Sequence, residues 1–146
     1  MHWVTSRKIK INRAATAWLI RRFIDPEATF RWLAKPSECP KSALGFDFAG
    51  ATFTPVGDCV TFETLLASFG LDGDPALVRL GSMVHTLDVG GEQVPEAAGF
   101  EAVMAGARER SADDDALLLD MSTVLDSLYL HFQRDSARGK SRKAAG

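Results

Sequence analysis

The hydrophobic and polar positions of this chain form their most distinctive pattern over residues 12–25, which we predict to be a helix. On a helical wheel, the apolar side chains of this segment leave no wide polar face: Ala14, Trp18, Leu19, Ile20, Phe23 and Ile24. A helix that is apolar all round is usually buried, so we expect its larger side chains in the core: Trp18, Ile20, Phe23 and Ile24. We interpret Asn12 as the N-cap, and we expect the helix to end before Pro26.

Three arginines interrupt this apolar helix: Arg13, Arg21 and Arg22. A buried guanidinium is costly unless a carboxylate or another acceptor compensates it. The compensation comes either from an anionic ligand or from carboxylates of the protein, for which the candidates are Asp25, Asp47, Asp88, Glu96 and Asp126. The pattern of residues leaves both interpretations open.

The rest of the chain alternates short strand patterns with helical ones. Strands are predicted at residues 4–11, as a possible edge strand, and at 29–33, 46–48 and 51–54. Helices are predicted at 61–69 with Gly70 closing the end, from the N-cap Asp74 to about His85, from Pro95, and from Ser111 or Asp113. Together these elements predict an α+β fold, a mostly helical single domain with a small β-sheet.

Apolar stripes at helical spacing predict the buried sides of the last two helices. In the first of them the stripe is Phe100, Val103, Met104 and Ala107. In the longest helix it is Leu117, Met121, Val124 or Leu125, Leu128 and Phe132. The pattern ends there, so we place one domain at residues 1–133 and expect residues 134–146 to be a basic, flexible tail.

The formal net charge of -2 conceals an uneven distribution of charge along the 146 residues. Residues 1–35 carry a charge of +6, residues 36–133 carry -12, and residues 134–146 carry +4. A basic start beside an acidic middle indicates internal ion pairing or a local anion site. It is not the broad basic surface of a dedicated nucleic-acid binder, so we expect no direct nucleic-acid binding by this chain alone.

The two cysteines, Cys39 and Cys59, form neither a CxxC motif nor a zinc-ligand spacing. We expect both to be free thiols in a reducing compartment. The N-terminal segment has no apolar signal core, and no window of the sequence has the length and hydropathy of a membrane span. We therefore expect a cytoplasmic protein without a membrane partner.

Four more polar residues are candidates for a site. His85 and Asp88 share a helix face and could bind a metal, move protons or simply form structural hydrogen bonds. Glu96 lies at a predicted helix N-terminus, where the helix dipole favours a carboxylate. Asp126 is either an arginine partner or one of a pair of carboxylates. Because no HxH or HxxxH motif occurs, we expect no metal and no cofactor.

Several segments of the chain resemble one bacterial family. WLIRRFID, FDF, GDCVTFETLLASFGLDGDPAL, VPEAAGF and DSLY are similar, in order and spacing, to the C-terminal domain of the chromate-resistance protein ChrB. The resemblance extends from about Trp3 to Phe132. It implies a role in chromate resistance and in chromate-responsive regulation. Members of the family are also described as exported, and they often carry an N-terminal or a rhodanese domain as well.

The sequence departs from the family pattern at the start of the arginine helix. The family typically has Asp-Arg-x-Ala-Cys-Pro-Trp there, whereas this chain has Asn12 for the Asp, Thr16 for the Cys and Ala17 for the Pro. His85 stands where the family usually has Arg, and Cys59 is displaced by one position. The resemblance therefore implies the fold more strongly than it implies a metal- or thiol-based activity.

The leading functional hypothesis is sensing of a small oxyanion, or an accessory regulatory role in the chromate response. Arginine offers planar, charge-assisted donors that match two oxygens of a tetrahedral anion such as chromate. The ligand would be held by residues chosen from Arg13, Arg21, Arg22, His85, Asp88, Glu96 and Asp126. One alternative is an enzyme of unknown reaction with Arg13, His85, Glu96 and Asp126 around a pocket. Another is a structural partner-binding module, and the sequence leaves homo-oligomerisation open.

Overall fold

The computed structural model describes residues 1–138 and the helical backbone of residues 139–145. Within this part of the chain, three parallel strands form one sheet in the order β2-β1-β3, with β1 at His2–Ser6, β2 at Thr29–Leu33 and β3 at Leu44–Gly45. Five α-helices accompany the sheet: α1 (Ile11–Leu19), α2 (Thr61–Ser68), α3 (Pro75–Val89), α4 (Ala97–Arg110) and α5 (Asp114–Ala145). The predicted α+β class with a small sheet is confirmed.

The first strand is central in the sheet, so its prediction as an edge strand is wrong. β1 pairs with β2 through Trp3 and Phe30 and with β3 through Trp3 and Leu44. Trp3, Val4 and Thr5 are consequently buried in succession. A strand that is covered on both faces loses the alternation of polar and apolar residues by which a half-exposed strand is recognised.

Helix α1 lies at the centre of the molecule, in contact with α2, α3 and α5. This position explains its pattern, because a helix with neighbours on several sides needs apolar residues on all of them. Trp18 and Ile20 are buried as predicted, whereas Phe23 and Ile24 are only half-buried and pack against the edge of the core. The expectation of a mostly buried helix therefore holds for α1, whereas the expected core positions of Phe23 and Ile24 are wrong.

That turn, Ile20–Ile24, is a π-helical continuation of α1. The amide of Asp25 donates to the carbonyl oxygen of Ile20 at 2.7 Å, which closes a wider turn than an α-helix has. Arg21 and Arg22 lie on this turn and are exposed to solvent. The inference that their guanidinium groups are buried is thus wrong, whereas Asp126, one of the expected counter-charges, does pair with Arg22.

The predicted N-cap of α1 is also wrong. The helix begins at Ile11, with Lys10 as the N-cap residue, and none of the described side chains caps the first turn. Asn12 lies within the first turn and is buried. Its amide side chain is held by other polar groups, described below, and it is therefore not available to the helix amides.

The two strands predicted at residues 46–48 and 51–54 are reduced to a single bridge between Phe46 and Phe53. The regular strand in this region is the shorter β3, which ends immediately before Phe46. Asp47 has a φ of 58°, a left-handed conformation that is uncommon outside glycine and ends an extended strand. The chain therefore turns at Asp47 instead of continuing along the sheet.

The helix signals in the second half of the chain are largely confirmed. Asp74 accepts hydrogen bonds from the amides of Ala76 and Leu77 at the start of α3, and Gly70 has a φ of 67° just after α2. α3 ends at Val89, beyond the predicted end near His85. The apolar stripes of α4 and α5 face the core. The prediction that Val103 belongs to the core is wrong, because its side chain lies to one side of the α4 stripe and is exposed.

Three further expectations concern the chain as a whole. Cys39 and Cys59 are both free, as predicted. No helix in the described residues is long and apolar enough to cross a membrane. α5 includes residues 134–138 of the predicted tail, whereas the side chains from residue 139 onward and Gly146 lie outside the described residues. The flexibility of the segment 134–146 therefore stays a prediction.

The different burial of the two isoleucines that bound the π-helical turn can be tested by truncating each one. Ile20→Ala should lower the free energy of unfolding by about 2–5 kcal/mol, because it opens a cavity in a fully packed site. Ile24→Ala should cost less than half as much, since this side chain is half exposed and solvent fills the space. Urea unfolding of the two variants measures the difference, and equal losses would contradict the position of the turn.

Candidate functional site

A cleft of about 400 Å³ lies where the chain leaves the carboxyl ends of β1 and β3. From β1 the chain passes through α1 to β2 on one side, whereas β3 pairs with the other side of β1. Such a reversal of strand order opens a crevice at the carboxyl ends of parallel strands, where α/β proteins commonly bind ligands. We call this space the switch-point cleft. Its charged lining residues are Lys10, Arg13, Asp47, Asp88, Glu101 and Arg108.

Arg13 is held in the cleft by the backbone of the turn after β3. Its Nε and Nη2 donate to the carbonyl oxygen of Asp47 at 3.2 and 2.9 Å. Nε also lies 3.3 Å from Oδ2 of the Asp47 carboxylate. Within the described residues, no other acceptor is hydrogen-bonded to this guanidinium, so the donors of Nη1 are available to a ligand.

The carboxylate of Asp47 belongs to a small polar network that is otherwise surrounded by core residues. Its Oδ1 accepts a hydrogen bond from Thr61 Oγ1 at 2.8 Å and lies 3.5 Å from Asn12 Nδ2. Asn12 Oδ1 in turn accepts from Thr16 Oγ1 at 3.2 Å. Asn12, Thr16 and Thr61 are all buried. This network explains why Asn12 lies inside the helix and holds Asp47 at the inner end of the cleft.

Burial raises the pKa of the Asp47 carboxyl above its ordinary value, and the nearby negative charge of Asp88 adds to the rise. The hydrogen bond from Thr61 and the charge of Arg13 act in the opposite direction but do not reverse it. Asp47 therefore takes up a proton more readily than a solvent-exposed aspartate does. A protonated carboxyl can donate a hydrogen bond, which a carboxylate cannot.

The charged groups of the cleft come in equal numbers of each sign. Lys10, Arg13 and Arg108 are cationic, whereas Asp47, Asp88 and Glu101 are acidic. The uncapped first turn of α1 adds amide donors on the cationic side. The cleft therefore offers both donors and acceptors to one small polar ligand.

The other two arginines line a separate cavity of about 200 Å³ between the π-helical turn and α5. We call it the π-turn cavity. Arg22 Nε lies 3.2 Å from Asp126 Oδ1, and Trp18 Nε1 donates to the same oxygen at 2.9 Å. The guanidinium of Arg21 stacks over the ring of Phe30 at 4.8 Å. Arg21, Arg22 and Asp126 are thus brought together, but apart from Arg13.

The ring of Tyr129 packs against Arg22 in this second group of residues. The Arg22 guanidinium lies 5.3 Å from the centre of the Tyr129 ring, and the Tyr129 hydroxyl donates to Asp74 Oδ2 at 2.5 Å. Burial, with Asp74 as the next cause, raises the pKa of Tyr129 to about 12. The hydroxyl thus stays protonated and joins α5 to the N-cap of α3.

His85 and Glu96 lie at two further places. His85 Nδ1 is 2.6 Å from Oε1 of Glu63, which also accepts a hydrogen bond from the amide of Val60. Glu96 Oε1 is 3.8 Å from Arg79 Nη2. The seven predicted site residues therefore fall into four groups, and only Arg13 and Asp88 line the switch-point cleft. The described residues contain no cluster of three His, Cys, Asp or Glu side chains that could hold a metal ion.

Sequence reasoning missed four residues of the cleft: Lys10, Asn12, Glu101 and Arg108. Asn12 was interpreted as a helix cap, and Asp47 only as one possible counter-charge. The signal for Asp47 was present in the motif Phe46-Asp47-Phe48, because a charged residue between two aromatic ones either points to solvent or marks a turn. Nothing in the spacing along the chain connects Arg108 with Arg13, which come together only through the packing of α4.

Comparisons with known proteins agree on one family. The family model described as ChrB, C-terminal domain, matches residues 3–132. Protein ChrB of Cupriavidus metallidurans is 62% identical over 136 residues, which is 93% of this chain and 42% of that relative. The chain thus spans less than half the length of the curated relative that it matches. No solved structure matches it.

The raised pKa of Asp47 predicts how stability changes with pH. In the unfolded chain the carboxyl titrates near its ordinary value of 3.8, whereas the folded state holds the proton more tightly. The resulting stabilisation is complete below pH 3.8 and is lost as the pH rises through the raised pKa of the folded state. The free energy of unfolding of the unaltered protein, relative to that of Asp47→Asn, should therefore fall across this window.

Urea unfolding at a series of pH values measures this difference. Asp72→Asn is the matched control, because it removes an exposed carboxylate from the α2–α3 loop. A difference between the unaltered protein and Asp47→Asn that stays constant or rises with pH would show that the Asp47 carboxyl does not keep its proton in the folded state.

Proposed function

Because the chain belongs to the family of the ChrB C-terminal domain, a chromate-resistance family, we propose that it binds a small oxyanion such as chromate. The proposed site is the switch-point cleft, and the proposed role is sensing or regulation rather than catalysis. The observation that carries the proposal is the position of Arg13. A backbone carbonyl orients its guanidinium, and its free donors face a cleft that Lys10 and Arg108 also line.

The cationic residues of the cleft come from different parts of the chain. Lys10 and Arg13 flank the start of α1, while Arg108 belongs to α4. An oxyanion between them would be bound by charge-assisted hydrogen bonds, which are stronger than neutral ones. It would also join α1 to α4, so that its presence changes the contact between two elements. A sensing domain needs such a link between ligand and structure.

The π-turn cavity is the weaker candidate for the same ligand. Arg22 is already paired with Asp126. Arg21 stacks on Phe30, and its Nη2 donates to the carbonyl oxygen of Ala28 at 3.4 Å. An anion there would have to compete with these contacts. The cavity is also about half as large as the switch-point cleft, at about 200 Å³.

The enzyme alternative receives little support from the geometry. Its four residues would have to converge on one pocket, as catalytic groups do. Arg13, His85 and Asp126 instead line three different cavities, and Glu96 faces Arg79. The two free thiols are consistent with a reducing compartment, and we propose that the domain acts in the cytoplasm.

Oxyanion binding can be tested by thermal unfolding with chromate or chloride at matched ionic strength. Chromate should raise the melting temperature, because a ligand that binds only the folded state stabilises it by mass action. Arg108→Met should weaken this effect strongly. Arg110→Met, on the same helix but paired with Asp120, should not. The experiment is repeated with Cys39 and Cys59 replaced by serine, so that oxidation of thiols by chromate cannot cause the shift.

Arg13 itself needs two substitutions, because it also supports the turn at Asp47. Arg13→Met should abolish the effect of chromate, whereas Arg13→Lys should retain part of it, since the charge survives without the planar fork. Circular dichroism at the starting temperature shows whether both variants are folded. Equal shifts by chromate and chloride, or a full response in Arg108→Met, would refute the proposed site.

A further inference from the structure

The charged groups that line the switch-point cleft come from three helices and from the turn after β3. The start of α1 supplies Lys10 and Arg13, which are donors only. The last turn of α3 contributes Asp88, and α4 contributes Glu101 and Arg108. The carbonyl groups at the end of an α-helix carry partial negative charge, so the end of α3 adds acceptor character near Asp88.

A fully deprotonated oxyanion can be bound by the cationic groups of this cleft but not by its carboxylates. Its oxygens are all acceptors, so any that approach Asp88 or Glu101 would meet carboxylate oxygens with no proton between them. An oxyanion that keeps one proton fits both kinds of group, because its deprotonated oxygens accept from the cationic side chains while its hydroxyl donates to a carboxylate.

Resting on the proposed function, we propose that the switch-point cleft selects oxyanions that carry a proton, and that Asp88 makes the selection by accepting a hydrogen bond from the oxyanion hydroxyl. Phosphate carries at least one proton throughout the neutral range and chromate takes one up there, whereas sulfate and selenate are protonated only in strong acid. The cleft would therefore distinguish chromate from sulfate, although the two anions have the same shape and the same full charge.

Asp88 is better placed for this role than the other two acidic residues. The Asp47 carboxylate is occupied by Thr61 and Arg13. Glu101 also lines the cleft, but its side chain has one more rotatable bond than an aspartate, so it is held less firmly. Asp88 is exposed, lines the cleft, and has no hydrogen-bond partner among the described residues.

The pH dependence follows from the anion and from the charged groups that face it: Lys10, Arg13, Asp47, Asp88, Glu101 and Arg108. A rise in pH through neutrality removes the only proton of chromate and so weakens its binding, whereas phosphate still carries one hydroxyl as the dianion. The ratio of phosphate to sulfate affinity therefore reports the presence of a hydroxyl on the ligand, and the pH dependence of chromate binding reports its loss.

Titration calorimetry with sodium phosphate and sodium sulfate on the whole chain tests the proposal. At about pH 6 the unaltered protein should bind phosphate at least about tenfold more tightly than sulfate, a modest preference for a site that hydrogen-bonds a hydroxyl. The preference over sulfate should persist for phosphate as the pH is raised through neutrality, whereas the affinity for chromate should fall, because chromate loses its only proton there. In Asp88→Asn the amide can donate to sulfate, so sulfate should bind more tightly, phosphate more weakly, and the ratio should approach one.

Asp72→Asn removes the same charge from the α2–α3 loop and should leave the ratio unchanged. Equal binding of phosphate and sulfate by the unaltered protein would overturn the selection while leaving oxyanion binding in place. Equal ratios in Asp88→Asn and Asp72→Asn would overturn the role of Asp88. If neither phosphate, sulfate nor chromate binds, the proposed function fails, and the selection fails with it.

Discussion

The burial of α1 among α2, α3 and α5 is the constraint on which the rest of the structure depends. A helix in this position cannot carry a guanidinium on its middle turns, because their side chains are buried away from water. Its three arginines therefore lie at its two ends, where their side chains reach the surface. Arg13 lies in the first turn of α1. Arg21 and Arg22 lie in the wider π-helical turn that follows α1 at the edge of the core.

The two ends of α1 use their arginines differently. At the C-terminal end, the exposed guanidinium of Arg21 stacks on Phe30 of β2, and that of Arg22 pairs with Asp126 of α5, so these contacts fix the turn against the sheet and α5. At the N-terminal end, Arg13 binds a backbone carbonyl of the turn at Asp47, whose own carboxyl group is partly buried and has a raised pKa. An aspartate held by Asn12 and Thr61 beside an arginine with free donors is more than a contact between two surface charges. This arrangement is the physical reason for proposing the N-terminal end as the binding site.

The sequence predicted the parts of the fold that depend on local pattern. The all-round apolar helix, the Asp74-Pro75 start of α3 and the glycine after α2 were all recognisable, because each reflects contacts within a few residues. The position of β1, the π-helical turn and the left-handed Asp47 depend on packing between distant segments, and the sequence did not reveal them. For the site, the sequence identified Arg13 and Asp88. The sequence could not show that Lys10 and Arg108 line the same cleft as these two residues. Nor could it exclude the other five candidates, because only the fold places them at other sites.

The most direct test of the account is the place where an oxyanion binds, observed by amide chemical shifts in solution. Titration of the ¹⁵N-labelled protein with chromate, which is diamagnetic, should shift the amides of Ile11, Asn12 and Arg13 at the start of α1, together with that of Asp88. Saturable shifts confined to these residues would locate the anion in the switch-point cleft. Shifts centred on Arg21, Arg22 and Asp126, or no saturable shift at any amide, would contradict the account.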